Sequence, residues 1–317
     1  MSEASKVFSN TINEFVGDVE KICRQELDLC TSNNRLDDAF TKYDIDTGSE
    51  FEWGFIKSLL PQNVDKTKPD FAPKDANAVF VYLNEWDTKL FKTSTREDEI
   101  RKVIANKGLS KEEFASRIIA NLTESESQYN YTKERDLIGG SGVDETSNLD
   151  NGLVAKNSKG IMYVVRVAYN RLKAFNTFGV KGVVVDGETI KYDYGVNAED
   201  VRIVIGEDVL ALIDITELAQ VFNLEKEQLM GKLVVMPHDS EYDDTKIVVY
   251  DKKAFVEGTR LYQYLVDMAP YNTGSGYINH NLKTDKCFGY IPMRKVAVID
   301  ISKAIAASKE DVLVANE

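Results

Sequence analysis

The sequence predicts a mixed α+β fold with an N-terminal arm and a long extended hairpin. Three observations carry this. Apolar residues recur at helical spacing in some stretches and alternate at strand spacing in others, and a proline-bearing segment that suits neither divides two strand-like runs. The 317 residues suit one large or two small domains. With 43% hydrophobic and 29% charged residues, disorder and collagen-like structure are excluded for the whole. Lys plus Arg total 39 against 52 Asp plus Glu, a net charge of −13. So acidic a chain is poorly suited to gripping a phosphate backbone, and the charge bears on solubility rather than fold.

Residues 5–30 read as an amphipathic helix, with Phe8, Ile12, Phe15, Val19, Ile22 and Cys23 at helical spacing, stopped by Thr31-Ser32-Asn33-Asn34. Such a helix packs either outside its own domain, as an arm, or on its own core. In residues 46–95, Phe51, Trp53 and Phe55 alternate with small or polar residues, and the strand signal returns at Ala78 to Leu83. Between them residues 61–73 hold three of the six prolines, so the whole reads as a two-armed hairpin with a proline-rich tip. A loop of that length is functional or contacts partners.

Residues 97–137 are helical. A short segment with Ile100, Val103 and Ile104 ends at Gly108, and Ser110 with Glu113 forms a capping-box pattern. Phe114, Ile118, Ile119 and Leu122 then share a face of what is expected to be the longest helix. Residues 138–160, with Gly139-Gly140-Ser141-Gly142, read as a loop. From Ser158 a second helix places Ile161, Val164, Val165, Ala168, Leu172 and Phe175 on one stripe. Beyond 180 strands and short helices alternate. A hairpin turns at Asp186-Gly187, and Val201 to Ile205 is a buried strand. Asp214 and Glu217 cap a helix ending at Asn223, and Gly231 closes a second short one. Strands are expected at 233–236, 247–250, 261–268 and 296–301.

Chemistry-bearing patterns are scarce. The three cysteines, Cys23, Cys30 and Cys287, form no disulfide framework and suit a reducing compartment. Two histidines, His238 and His280, do not make the usual zinc site. Asp44-Ile45-Asp46-Thr47-Gly48 has its glycine one place too early for a calcium loop, and Phe55 stands where the bidentate Glu belongs. The glycine cluster at 139–142 lacks the Gly-Lys-Ser/Thr of a phosphate loop, and Val143 spoils a nucleophile elbow around Ser141. Pro237 to Asp244 offers oxygen ligands plus His238, or is simply a solvated acidic turn. Neither a signal peptide nor a run of 18 apolar residues is visible, so no membrane is implicated, and the sequons at Asn121 and Asn130 are chance matches. No enzyme activity, metal or cofactor is expected.

The order of the pieces (amphipathic arm, extended hairpin, long helix, loop, second helix, alternating α/β region and terminal strands) resembles that of tailed-phage major capsid proteins with the Hong Kong 97 capsid fold, and most of all the phi-29-type short-tailed phages. The likeness rests on strand Val201 to Ile205 leading into Asp208 to Ile215, then Leu218-Ala219, Phe222-Asn223 and Gly231. Thr95, Glu99 to Lys102, Phe114 and Ile118-Ile119 support it. The resemblance implies an N-arm over 1–45, an E-loop over 46–95 reaching across a neighbour, a P-domain over 96–194 and 258–317 containing the spine helix, and an A-domain over 195–257 pointing to the capsomer centre. It makes Trp53, Phe55, Trp86 and Phe91 subunit contacts of the E-loop, and Phe8, Ile12, Phe15 and Val19 those of the N-arm. It implies a subunit that self-assembles into pentamers and hexamers of an icosahedral head enclosing double-stranded DNA. Scaffolding and portal proteins would be partners, the DNA a neighbour by proximity, the host bacterial cytoplasm the site of assembly and the virion the destination. The C-terminal immunoglobulin-like domain that phi-29-type proteins can carry is expected to be absent. From another class, a soluble cytosolic enzyme or ligand-binding protein remains the alternative.

Overall fold

The computed structural model describes residues 36–46, 50–56, 78–96, 111–139, 158–213, 232–236, 245–268 and 277–306. Two four-stranded sheets dominate it. The first has the order β1-β10-β11-β4, built from β1 (Thr41–Asp44), β4 (Trp86–Arg96), β10 (Phe255–Met268) and β11 (Tyr277–Tyr290). The second has the order β12-β9-β7-β8, built from β7 (Val201–Gly206), β8 (Leu233–Met236), β9 (Lys246–Asp251) and β12 (Val296–Asp300). Two separate hairpins pair β2 (Phe51–Ile56) with β3 (Ala78–Leu83), and β5 (Val183–Val185) with β6 (Glu188–Ile190). Among the described residues no helix is long and apolar enough to cross a membrane.

The second sheet is buried on both faces, which is why β7 and β9 read as continuous apolar runs rather than alternating ones. Val201, Ile203 and Ile205 face a helix α2 (Ser158–Lys173) through its Ile161, Val164, Val165, Ala168 and Leu172, and Val209 of a short helix α3 (Glu207–Leu212) joins them. Val204, Val248 and Val296 face the other way, onto Leu36, Phe40, Phe255 and Ile138. The end of α2 is closed by Lys295, whose Nζ donates to Leu172 O at 3.1 Å, Ala174 O at 2.8 Å and Asn176 Oδ1 at 3.0 Å. A cation among the orphan carbonyls of a helix C-terminus is favourably placed. Burial nonetheless pushes the Lys295 pKa down to about 8, against the opposing pull of Asp193 and Asp251.

The first sheet carries an unusually polar inner face, and the long helix α1 (Lys111–Gly139) lies on it. Ile118 and Leu122 pack on Leu282, Phe91, Tyr262 and Tyr264. One turn further along, Glu126 meets Lys286 at 2.5 Å, and Lys286 also meets Glu257 at 2.8 Å, all three nearly buried. Asn130 donates to Glu126 at 2.5 Å. Burial alone would depress the Lys286 pKa, but the two carboxylates outweigh it and hold the ammonium protonated, above its ordinary range. Farther on, Ile138 enters the core under the second sheet, so one helix is fixed to both sheets. Its threonines satisfy their hydroxyls on the preceding turn, as Thr123 does by donating to Ile119 O at 3.0 Å.

Three features bear on how the chain divides. Leu36, Ala39 and Phe40 are core residues, Tyr250 donates its hydroxyl to Ala39 O at 3.0 Å, and β1 pairs with β10. β4 is paired to β11 along its whole length, from Cys287↔Trp86 to Tyr277↔Arg96. β12, near the end of the described chain, is hydrogen-bonded to β9 and so belongs to the second sheet. One pattern also fails at its end: Phe175, placed on the buried stripe of α2 by spacing, lies past the last helical residue and is 72% exposed.

Replacing Lys286 by Met leaves Glu126 and Glu257 buried without their shared cation, and unfolding free energy in urea is expected to fall by about 3–5 kcal/mol; an unchanged midpoint contradicts the role given to the cluster. The second expectation concerns His280, fully buried between Thr95 Oγ1 and Tyr264 OH, each 2.7 Å from a ring nitrogen. Burial pushes its pKa down to about 4 from 6.5. The unfolded chain therefore binds the proton first, so this contribution is whole above pH 6.5 and is lost as the pH falls through 4. His280→Gln should flatten stability against pH across that window, by up to about 3 kcal/mol; a slope identical to the native one refutes the assignment.

Candidate subunit-contact surfaces

The β2–β3 hairpin is seated at its root. Leu83 lies on Gly289 of β11, where a Cβ would stand 2.5 Å from Leu83 Cδ1. Trp86 reaches across the sheet to Gly258 of β10, where a Cβ would stand 3.4 Å from its ring and 3.0 Å from Ile45 Cδ1. Only residues without a side chain leave room for both. Arg260 then covers the Trp86 ring at 4.4 Å and is itself held by Asp285 at 2.7 Å, to which Thr88 also donates at 3.1 Å.

The hairpin has two unlike faces. Register pairs Phe51 with Leu83, Trp53 with Val81 and Phe55 with Val79 on the inner face. That face rests on the chain's own Tyr192, Val256, Ile291 and Met293. Arg294 inserts beneath it, 5.7 Å from the Trp53 ring, 5.5 Å from Phe55 and 5.6 Å from Tyr194. Asp251 fixes the guanidinium at 3.3 Å and accepts from the Tyr194 hydroxyl at 3.1 Å. Burial, with Asp251 adding to it, holds that hydroxyl well above the usual tyrosine range.

Trp53, Phe55, Trp86 and Phe91, the residues the resemblance makes contacts of the E-loop, have cover within their own chain. Phe91 packs edge-on against Tyr129 of α1 at 6.1 Å, and the other three are held as described. The uncovered apolar groups are on the outer face of the hairpin: Ile56 at 70%, Phe80 at 50% and Tyr82 at 53% exposure, with Ala78 and Gly54 beside them. Phe80 lies over its cross-strand partner Gly54, whose Cβ would stand 3.0 Å from the Phe80 ring. Between Phe80 and the β5–β6 hairpin, with Val185 and Ile190, lies an open cleft of about 660 Å³.

Phe8, Ile12, Phe15 and Val19 lie outside the described residues, as do Cys23, Cys30, His238, the prolines at 61–73 and the acidic stretch at 239–244. Cys287 is buried with its thiol pushed up to about 11, by burial first and Glu85 second, which suits packing and not nucleophilic chemistry. Among the described residues no group of three or more His, Cys, Asp and Glu could hold a metal ion.

Comparison with known proteins gives a consistent picture. The family model of the Phi29-like phage major capsid protein matches residues 1–299. Among solved structures, a chain of the Staphylococcus phage Andhra capsid is similar with a TM-score of 0.63 at 10% identity, over 85% of this chain and 84% of that one. A chain of Microbacterium phage Oxtober96 gives 0.52 at 10% identity over 86% and 92%. A capsid chain of cyanophage P-SCSP1u gives 0.50 at 7% identity over 84% and 88%. No curated protein matches. At these identities the structural likeness establishes the shared capsid fold.

The geometry of Arg294 carries a direct expectation. Changing Trp53 and Phe55 to Ser should lower the stability of the isolated subunit by about 3 kcal/mol or more, because large rings packed on the chain's own core are lost. A thermal melt that matches the native subunit contradicts the inner-face assignment.

Proposed function

The chain belongs to the Phi29-like phage major capsid protein family, and from that premise we propose how its copies hold one another. The protein is a structural subunit of a phage head shell with a Hong Kong 97-type fold. Its role is assembly and not catalysis. The first sheet with α1 serves as the P-domain with its spine helix, and the second sheet with α2 and α3 as the A-domain. The β2–β3 hairpin is the E-loop, and its outer face, with Ile56, Phe80 and Tyr82, seats on a neighbouring subunit. Phe8, Ile12, Phe15 and Val19 give the N-arm its contacts. Scaffolding and portal proteins are the partners such a shell calls for, assembled in the host cytoplasm around a space for DNA.

One observation supports this reading above the others: a hairpin locked at its root and along one face presents large apolar groups on the opposite face. Burying them on a neighbour gains roughly 25 cal/mol per Å² of apolar surface, and the gain recurs around a closed ring. Ile56→Ser combined with Phe80→Ser should leave the melting temperature of the free subunit nearly unchanged, since exposed changes cost within about 0.5 kcal/mol. The same pair should remove particles from negative-stain fields of expressed protein. Normal particles from this variant would refute the outer face as the contact.

A further inference from the structure

The second sheet carries its charge unevenly. From residue 151 to 185 the chain has no Asp or Glu, but it has Lys156, Lys159, Arg166, Arg171, Lys173 and Lys181, in a protein whose net charge is −13. The structure collects part of this on one helix face. Tyr163, Arg166, Asn170 and Lys173 recur at spacings of three and four on the exposed side of α2. Tyr163 is 70% exposed and Phe175, just beyond the helix, 72%. The cations are held in place: Lys173 stands over the Tyr169 ring at 5.0 Å, and Arg171 over Phe178 at 5.2 Å. Exposed Tyr and Phe among Arg residues is the composition of a protein interface core.

The complement lies on the same layer. In the strand order β12-β9-β7-β8, helix α2 packs over β12 and β9 while α3 packs over β7 and β8. The first turn of α3 exposes Glu207 and Asp208. One side of the layer is therefore basic and aromatic, and the other carries two exposed carboxylates on α3, with Arg202 half-buried on β7 and Lys232 half-buried just before β8. Opposite charges at the two ends of one surface are matched either by two-fold pairing or by repeating head to tail; the rings of more than two copies that the shell reading calls for use the second, which closes when the rotation permits.

We propose that the exposed face of α2 docks against the acidic α3 side of a second copy of this chain, so that charge complementarity orders the subunits around a capsomer. This rests on the shell reading and adds a contact distinct from the hairpin. Each copy repels its neighbours through its net charge, so a basic face on the same chain both steers encounter and selects the orientation of docking.

The test is a charge exchange in the full chain, expressed and examined by sedimentation and negative-stain microscopy. Arg166→Glu with Lys173→Glu places acid against acid in every contact, and Glu207→Lys with Asp208→Lys places base against base. Each pair should lower particle yield about tenfold or more while the melting temperature stays native. All four changes in one chain restore opposite charges, and particles should return. Raising salt from about 0.1 to about 1 M, which shortens the screening length from about 10 to about 3 Å, should relieve the defect of each pair. Where a reversal lowers the melting temperature, Arg166→Gln with Lys173→Gln replaces it, with a smaller loss of yield expected. Normal particles from either pair, or no recovery in the fourfold variant, overturns the proposal while leaving the shell reading intact. If instead the native chain binds a 30-base-pair duplex and the Arg166→Glu, Lys173→Glu variant loses that binding yet assembles normally, the face is for nucleic acid and the proposal falls. A native chain that forms no particles at all overturns the shell reading itself and this contact with it.

Discussion

The meeting of Lys286 with Glu126 and Glu257 is the constraint on which the rest of the subunit depends. It joins α1, β11 and β10 at one buried point, and none of the three charges tolerates that environment without the others. An ion cluster of this kind adds little net stability over an apolar core, but it accepts only one alignment. Slipping α1 by one residue, or β11 by one, would strand a charge. With that register set, β4 aligns so that Trp86 falls opposite Cys287 and crosses to Gly258, and Ile138 arrives under the second sheet.

From that register follows the character of the hairpin. Its root is held by shape, with Leu83 on Gly289 and Trp86 on Gly258, and its inner face by Arg294. A projecting element held in this way loses little freedom when it docks, so more of the apolar gain at its outer face remains as binding. The inner aromatics set the direction of projection, and the outer ones supply the area.

Much of this was legible in the sequence, and the misses have a common cause. The strands of the second sheet, the arms of the hairpin and the long helix showed themselves because their inward residues are apolar. Strand β11 shows no apolar period because its inward residues include His280, Thr284 and Lys286, and β4 shows none because Thr93, Lys89 and Asp87 stand opposite them. Those polar groups are satisfied by partners far away in sequence, such as Tyr129 for Asp87 and Tyr264 for His280, so no local period betrays them. The alternation of Trp53 and Phe55 with small and polar residues marks their strand. Their partner, Arg294, lies over 200 residues away, and nothing in the local pattern announces a cation beneath them.

The two kinds of surface on the subunit divide the work of assembly by physics. Charge acts over a Debye length and fades with salt, so the basic face of α2 governs approach and orientation. Apolar burial acts only on contact and is insensitive to salt screening, so the outer face of the hairpin governs how long a contact lasts. An acidic chain needs both. Without a basic face, copies of like charge approach in every orientation with equal reluctance. Without an apolar face, correctly oriented copies part again. Placing the charges on a layer packed around α2 and α3, and the apolar groups on a hairpin rooted in the other sheet, lets each act without weakening the other.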